Sequence, residues 1–239
     1  MSFEKRRKTA FLLNLAIAVI EGVILFHCYF GFIVVNGKST GSGYLMFRFF
    51  TEDSNIFLAL SSLTYLIADL LALKAKSSLP IWVKRFRYIA TIAVTTTALV
   101  LLFFLAPYMG IAYGNFWLMW SLPNMTFTHF VCPVLSIVSA IFFEEPLANA
   151  APWKEAFLGL STVLVYAIVV GSLASTQTIS SDPQINNVYG FMDATAGAWW
   201  VTPLAFTLII SGTYGEGVLL LFLQKKRQSK NGASVSPKA

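Results

Sequence analysis

Charge is the scarcest property of this chain. Asp, Glu, Lys and Arg together make up 12% of its 239 residues, about half the share usual in a soluble domain. That shortage, with a mean hydropathy of +0.69, excludes an ordinary water-soluble globule. Cysteine is nearly absent too. Cys28 and Cys132 both lie inside apolar runs, which excludes a disulfide framework. Histidine occurs only at His27 and His129, so at most one haem could be held by a histidine pair. No polar stretch is long enough for an appended soluble domain, and no internal repeat is visible. The net charge of +6 does not point to nucleic acid, because the basic residues sit in short segments beside apolar runs.

Long apolar runs are what the chain does have. A helix crosses a hydrocarbon core of about 30 Å in about 20 residues. Six segments meet that requirement, approximately 10–35, 49–73, 88–106, 125–143, 155–174 and 203–223. The expectation is therefore an all-α, polytopic bundle of six transmembrane helices over residues 1–223, followed by a basic, disordered tail at 224–239. Basic residues precede the first run, but that run is too long for a cleaved signal and reads as a helix. Proline at Pro107 and Pro203 is expected to bound the third and sixth helices.

Lys and Arg set the direction of insertion. Fifteen of the seventeen fall before the first span, in the loop "KAKSSLPIWVKRFR", at Lys154 or after Leu223, leaving Lys38 and Arg48 on the other side. Both termini are thus expected in the cytoplasm, as in a multi-pass protein of the cell membrane. The opposite loops, "PYMGIAYGNFWLMWSLPN" and "VYGFMDATAGAWW", have the aromatic content of a membrane interface. "NMT" at Asn124 fits a glycosylation acceptor on that side.

Polar groups in spans are costly and tend to face the bundle interior. Here they are Glu21 and His27 in the first span, Thr51, Glu52, Asp53 and Asn55 opening the second, Asp69 near its far end, His129 in the fourth and Glu216 in the sixth. Asp69 and Glu216 are expected to pair with the nearby Lys74 and Lys225. Glu21 is expected to bond a neighbouring helix or to line a cavity. The second and fourth spans run in the same direction, so Thr51 and His129 each enter about one turn below the same surface. His27, in a span of opposite direction, lies in the same outer third.

A threonine hydroxyl becomes a nucleophile when a base takes its proton, and histidine is the usual base. A helix N-terminus beside Thr51 would favour a developing oxyanion. Asp53, Glu52 or Asn124 is a candidate to orient the imidazole. The plainer alternative has Thr51 capping its helix and His129 as an interhelical hydrogen-bonder. Two other readings use the same residues. His27 and His129 could be axial haem ligands, or join Cys28 and Cys132 around a metal. A non-enzymatic transporter, sensor or assembly factor would use Glu21, Asp53 and Glu216 in a cation path, although no inverted repeat supports one.

Two windows carry a resemblance. "FRFFTEDSN" resembles the F-x-x-F-T-x-x-S-N signature of bacterial six-helix membrane proteins related to the eukaryotic androgen-induced and androgen-dependent membrane proteins. "NMTFTHFVCP" is similar to the same family's histidine window, with Pro133 four residues after His129 and Asn124 upstream. The resemblance implies six helices with inside termini and an intramembrane hydrolase without metal or cofactor. Its substrates would be lipid esters such as fatty acid esters of hydroxy fatty acids, with Thr51 as nucleophile and His129 as base.

Overall fold

The computed structural model describes residues 3–31, 34–35, 38–39, 41–114, 123–147, 151–176, 178 and 200–233. Apart from a two-residue antiparallel ladder, the described elements are helical. Five helical stretches are long and apolar enough to cross a membrane, Phe3–Phe30, Phe50–Ala75, Ile81–Leu105, Pro152–Leu173 and Pro203–Ser229, and Phe127–Phe143 is a shorter apolar one. This is a helical, multi-pass membrane bundle. The aromatic-rich stretches 115–122 and 189–199 lie outside the described residues.

Helix α1 (Phe3–Phe30) buries Ala10, Asn14, Ile17, Ala18 and Glu21, a single stripe at helical spacing. The helix opens within the basic N-terminal segment rather than at residue 10. It also stops before residue 35. Gly31 takes a left-handed φ of +70°, which glycine tolerates, and its N–H bonds the His27 carbonyl at 2.7 Å. The chain then turns back through β1 (Val34–Val35) and β2 (Lys38–Ser39), with Val34 opposite Ser39. Ser42 N–H bonds the Cys28 carbonyl at 2.8 Å, so the next helix starts against the end of α1.

A 3₁₀ turn, Gly43–Arg48, leads into α2 (Phe50–Ala75). Helix α3 (Ile81–Val100) starts behind Pro80, earlier than residue 88, because Pro80 is suited to a helix entry. Pro107 does not end it. A π-turn at Leu101–Leu105 intervenes, and α4 (Ala106–Tyr113) continues the helix. Ala106 N–H reaches back to the Leu101 carbonyl. That wider turn changes the hydrogen-bond register where the proline ring could not fit an unbroken α-helix.

The same device recurs in the fourth apolar segment. Short helix α5 (Pro123–Thr126) runs into a π-turn at Phe127–Val131, then α6 (Cys132–Val138), then a second π-turn at Ser139–Phe143. Pro133 stands just after the first of these turns, as Pro107 stands after Leu105. Helix α7 is Pro152–Ser175 and α8 is Val201–Ala233. The proposed tail at 224–239 is thereby corrected over 224–233, which are helical. Gln224 is buried, with its Nε2 donating to the Ala140 carbonyl, and Arg227 donates to the carbonyls of Ile141 and Glu144. These bonds tie down a segment whose composition alone looks soluble.

Helix α3 is central. It packs against α2, α6, α7 and α8, and 56% of its most apolar window is buried, against 22% for α1 and α8. Gly159 lets α7 approach closely, since a Cβ there would lie 2.6 Å from an Ile92 methyl.

One end of the bundle collects the basic residues. Arg7 Nε lies 2.6 Å from Asp69 Oδ1, Lys84 Nζ lies 2.8 Å from Glu145, and Arg85 pairs with Glu155. The expected partner of Asp69, Lys74, is replaced by Arg7 of α1, which the antiparallel α1–α2 packing brings alongside. Glu216 accepts from Thr96 Oγ1 at 3.2 Å rather than reaching Lys225, because its side chain turns inward onto α3.

Candidate functional site

The opposite end of the bundle holds Thr51 and His129. Thr51 stands in the first turn of α2, where unsatisfied N–H groups make a positive dipole end and acidic neighbours are favourable. This helix has Phe49 at its N-cap, in an extended conformation and with no side-chain cap. Thr51 is therefore not the capping residue. Its hydroxyl is directed across the bundle, 3.2 Å from His129 Nε2.

His129 is 3% exposed and sits in the π-turn Phe127–Val131. In that turn Cys132 N–H bonds the Phe127 carbonyl, five residues back. Such single-turn bulges reset which side chains face inward. The proline at Pro133 explains why the turn occurs at this place.

The tautomer follows from hydrogen-bond chemistry. His129 Nδ1 lies 3.1 Å from the Met125 carbonyl oxygen. A carbonyl can only accept, so Nδ1 carries the proton and Nε2 presents a lone pair. The Thr51 hydroxyl then donates to Nε2. Thr128 Oγ1 lies 3.0 Å from the same Nδ1 and donates to the Met125 carbonyl at 3.5 Å. The group that orients the imidazole is thus a backbone carbonyl assisted by a neighbouring hydroxyl.

This corrects the expectation of a carboxylate in that role. Neither Glu52 nor Asp53 bonds His129 among the described residues, and the Asn124 side chain lies outside them. Glu52 keeps one carboxylate oxygen buried and unbonded. Asp53 faces a groove between α2 and α7, beside Phe57 and Val165. Asn55 does contribute. Its Nδ2 donates to the Thr51 carbonyl at 2.8 Å and the Thr128 carbonyl at 3.4 Å, so it ties together the two segments that carry the pair. Ser54 adds a bond to the Thr51 carbonyl at 2.9 Å and a second to Thr97 at 3.0 Å.

Glu21 is fully buried, facing Cys132, one turn beyond His129. It belongs to the interior rather than to the pair. His27 is half-buried near the end of α1, and no hydrogen bond joins it to His129 among the described residues. Both ring nitrogens of His129 already have protein partners, which disfavours its use as a haem ligand. Among the described residues no three His, Cys, Asp or Glu side chains are grouped to hold a metal ion.

Thr51 opens onto a narrow apolar cavity of about 60 Å³. Its walls come from α3 (Thr97, Val100), α7 (Val163, Tyr166) and α8 (Phe206, Ile209). Phe50 and Tyr166 form the partition between this cavity and the α2–α7 groove, since both line each space. Their rings meet edge to face at 5.2 Å, and Tyr166 Oη donates to the Arg48 carbonyl at 2.5 Å. Sequence reasoning missed Thr128, Tyr166 and the Met125 carbonyl. A hydroxyl next to the histidine was a usable signal for the first. A carbonyl leaves no trace in residue type.

Comparison with known proteins finds no matching family model, no matching curated protein and no matching solved structure.

Proposed function

We propose that this protein is an integral membrane hydrolase of lipid esters, with Thr51 as nucleophile and His129 as general base. The observation that carries the proposal is the 3.2 Å contact between the Thr51 hydroxyl and an unprotonated imidazole nitrogen, at the edge of an apolar cavity. The resemblance of the two windows around these residues points the same way. The proposed arrangement has six spans with both termini in the cytoplasm of a cell-membrane protein, in keeping with the basic residues gathered at one end of the bundle.

In the proposed reaction the ester carbonyl sits where Thr51 meets the apolar cavity, and the alkyl chains lie along the α2–α7 groove, entering sideways from the lipid. Thr51 Oγ1 attacks the ester carbonyl as its proton passes to His129 Nε2. The positive end of α2 favours the charge that develops on the carbonyl oxygen. The imidazolium then returns its proton to the departing alcohol, leaving an acyl-threonine. Water, deprotonated by the same nitrogen, cleaves this ester and restores the hydroxyl. The Met125 carbonyl keeps the Nδ1 proton in place throughout and stabilises the transient imidazolium.

The test uses a fluorophosphonate probe and a fluorogenic long-chain ester on purified protein. Wild type is expected to label and to turn over. Thr51→Ala, eluting at the wild-type position in size exclusion, is expected to do neither. Equal labelling and hydrolysis by wild type and Thr51→Ala would remove the proposal.

A further inference from the structure

At the end of the bundle away from Thr51, five segments converge on an open cavity of about 630 Å³. Arg6, Arg7, Lys76 and Lys84 all line it, with Leu73 and Phe143 supplying apolar wall. Two of the four cations are neutralised, Arg7 by Asp69 and Lys84 by Glu145. Arg6 and Lys76 have no carboxylate partner among the described residues. Arg6 is half-buried with its guanidinium 5.7 Å from the Phe3 ring centroid.

Lys76 adds an independent observation. It caps the C-terminus of α2 in the left-handed region, with φ 51° and ψ 37°. Glycine is the usual residue there, and a side chain with a Cβ is disfavoured by about 1 kcal/mol or more. A lysine held in that conformation at the lip of a cavity suggests that its charge is needed where it is.

We infer that this cavity binds the phosphate group of an anionic phospholipid, with Arg6 and Lys76 as the binding cations. Leu73 and Phe143 contact the start of an acyl chain. A free phosphate would gain nothing from those apolar walls, whereas a lipid presents both an anion and hydrocarbon. The site is separate from the Thr51 pair and does not depend on the hydrolase reading.

Native mass spectrometry of the full chain in detergent tests it, titrating phosphatidylglycerol and phosphatidylcholine of matched chains. Wild type is expected to hold phosphatidylglycerol about 25-fold more tightly, the product of two basic residues at about fivefold each. Each charge removed should weaken it about fivefold, from the usual contribution of a basic residue at an anionic surface. Arg6→Gln/Lys76→Gln should therefore approach the phosphatidylcholine level. Lys225→Gln/Lys226→Gln removes two charges from the exposed face of α8 and should change nothing. Lys76→Gly should raise the melting temperature by relieving the backbone yet still lose about fivefold in phosphatidylglycerol affinity, so misfolding cannot mimic the result. Equal binding of the two lipids overturns the site, as does equal weakening by the control pair. Displacement of phosphatidylglycerol by inorganic phosphate, beyond that by chloride at the same ionic strength, overturns the lipid in favour of a free anion.

Discussion

The two ends of this bundle bury polar residues in opposite ways. At the basic end, Glu144 Oε1 accepts from Arg87 Nε at 3.0 Å, Asn14 Nδ2 at 3.0 Å and Ser139 Oγ at 2.7 Å. One carboxylate oxygen thereby joins α1, α3 and the last π-turn, and Arg87 is only 1% exposed. At the other end the Thr51 hydroxyl makes one contact to an imidazole whose second nitrogen is pinned, and its remaining capacity faces empty space. The first arrangement is a clamp made within the protein, with Arg87 Nη1 and Nη2 and Asn14 Oδ1 buried and without a partner among the described residues. The second keeps an oxygen lone pair and a base available for something that is not protein. What sets the Thr51 pair apart is that its spare hydrogen-bonding capacity lies beside a cavity.

Substitutions separate the two ends. The largest expected effect is at the base. His129→Ala should lower ester turnover by about 10²- to 10⁴-fold, the usual contribution of general base catalysis, with a small change in melting temperature. Turnover within threefold of wild type would break the contrast. Next comes the clamp. Glu144→Ala leaves Arg87 buried without its carboxylate and should destabilise the fold by about 3–5 kcal/mol, measured by thermal unfolding in detergent. Turnover per folded molecule should stay near wild type, and a selective loss of turnover would mean that the clamp takes part in the chemistry.

Asn55→Ala removes donors to two carbonyls that flank the pair. It should cost about 1–3 kcal/mol of stability and, by loosening the alignment, lower kcat more than it raises KM. A change in KM alone would place Asn55 in binding instead. The smallest effect is expected at the rim of the basic end. Arg85 is 45% exposed and pairs with Glu155, so Arg85→Gln should shift stability by less than about 1 kcal/mol. A larger loss would show that the exposed pair belongs to the same clamp as Glu144.

Parts of both ends were legible in the chain. Thr51, His129 and Asn55 stood out because a hydroxyl, an imidazole and an amide are expensive within apolar runs. Their common depth followed from the parallel direction of two spans. Asn14, Arg87 and Ser139 drew no attention, since Arg87 reads as part of a basic loop until Pro80 is seen to start the helix. The assignment of Glu52 or Asp53 as orienter failed because proximity in sequence was taken for proximity around the helix. Asp53 instead turns toward α7. The supposed tail failed for a related reason. Charge suggested solvent, while Gln224 and Arg227 find carbonyls exposed by a π-turn.

Hydropathy is a sum over one segment, so the sequence alone determines that these segments are helices that leave water. It also determines which of them carry reactive groups. Which groups meet depends on helix rotation and on the three π-turns. Thr51 and His129 are 78 residues apart, and the lone pair facing the hydroxyl depends on a backbone carbonyl four residues before the histidine. Only the packed bundle decides that, because orientation about a helix axis is set by neighbours pressing on all sides and not by the composition of the helix itself.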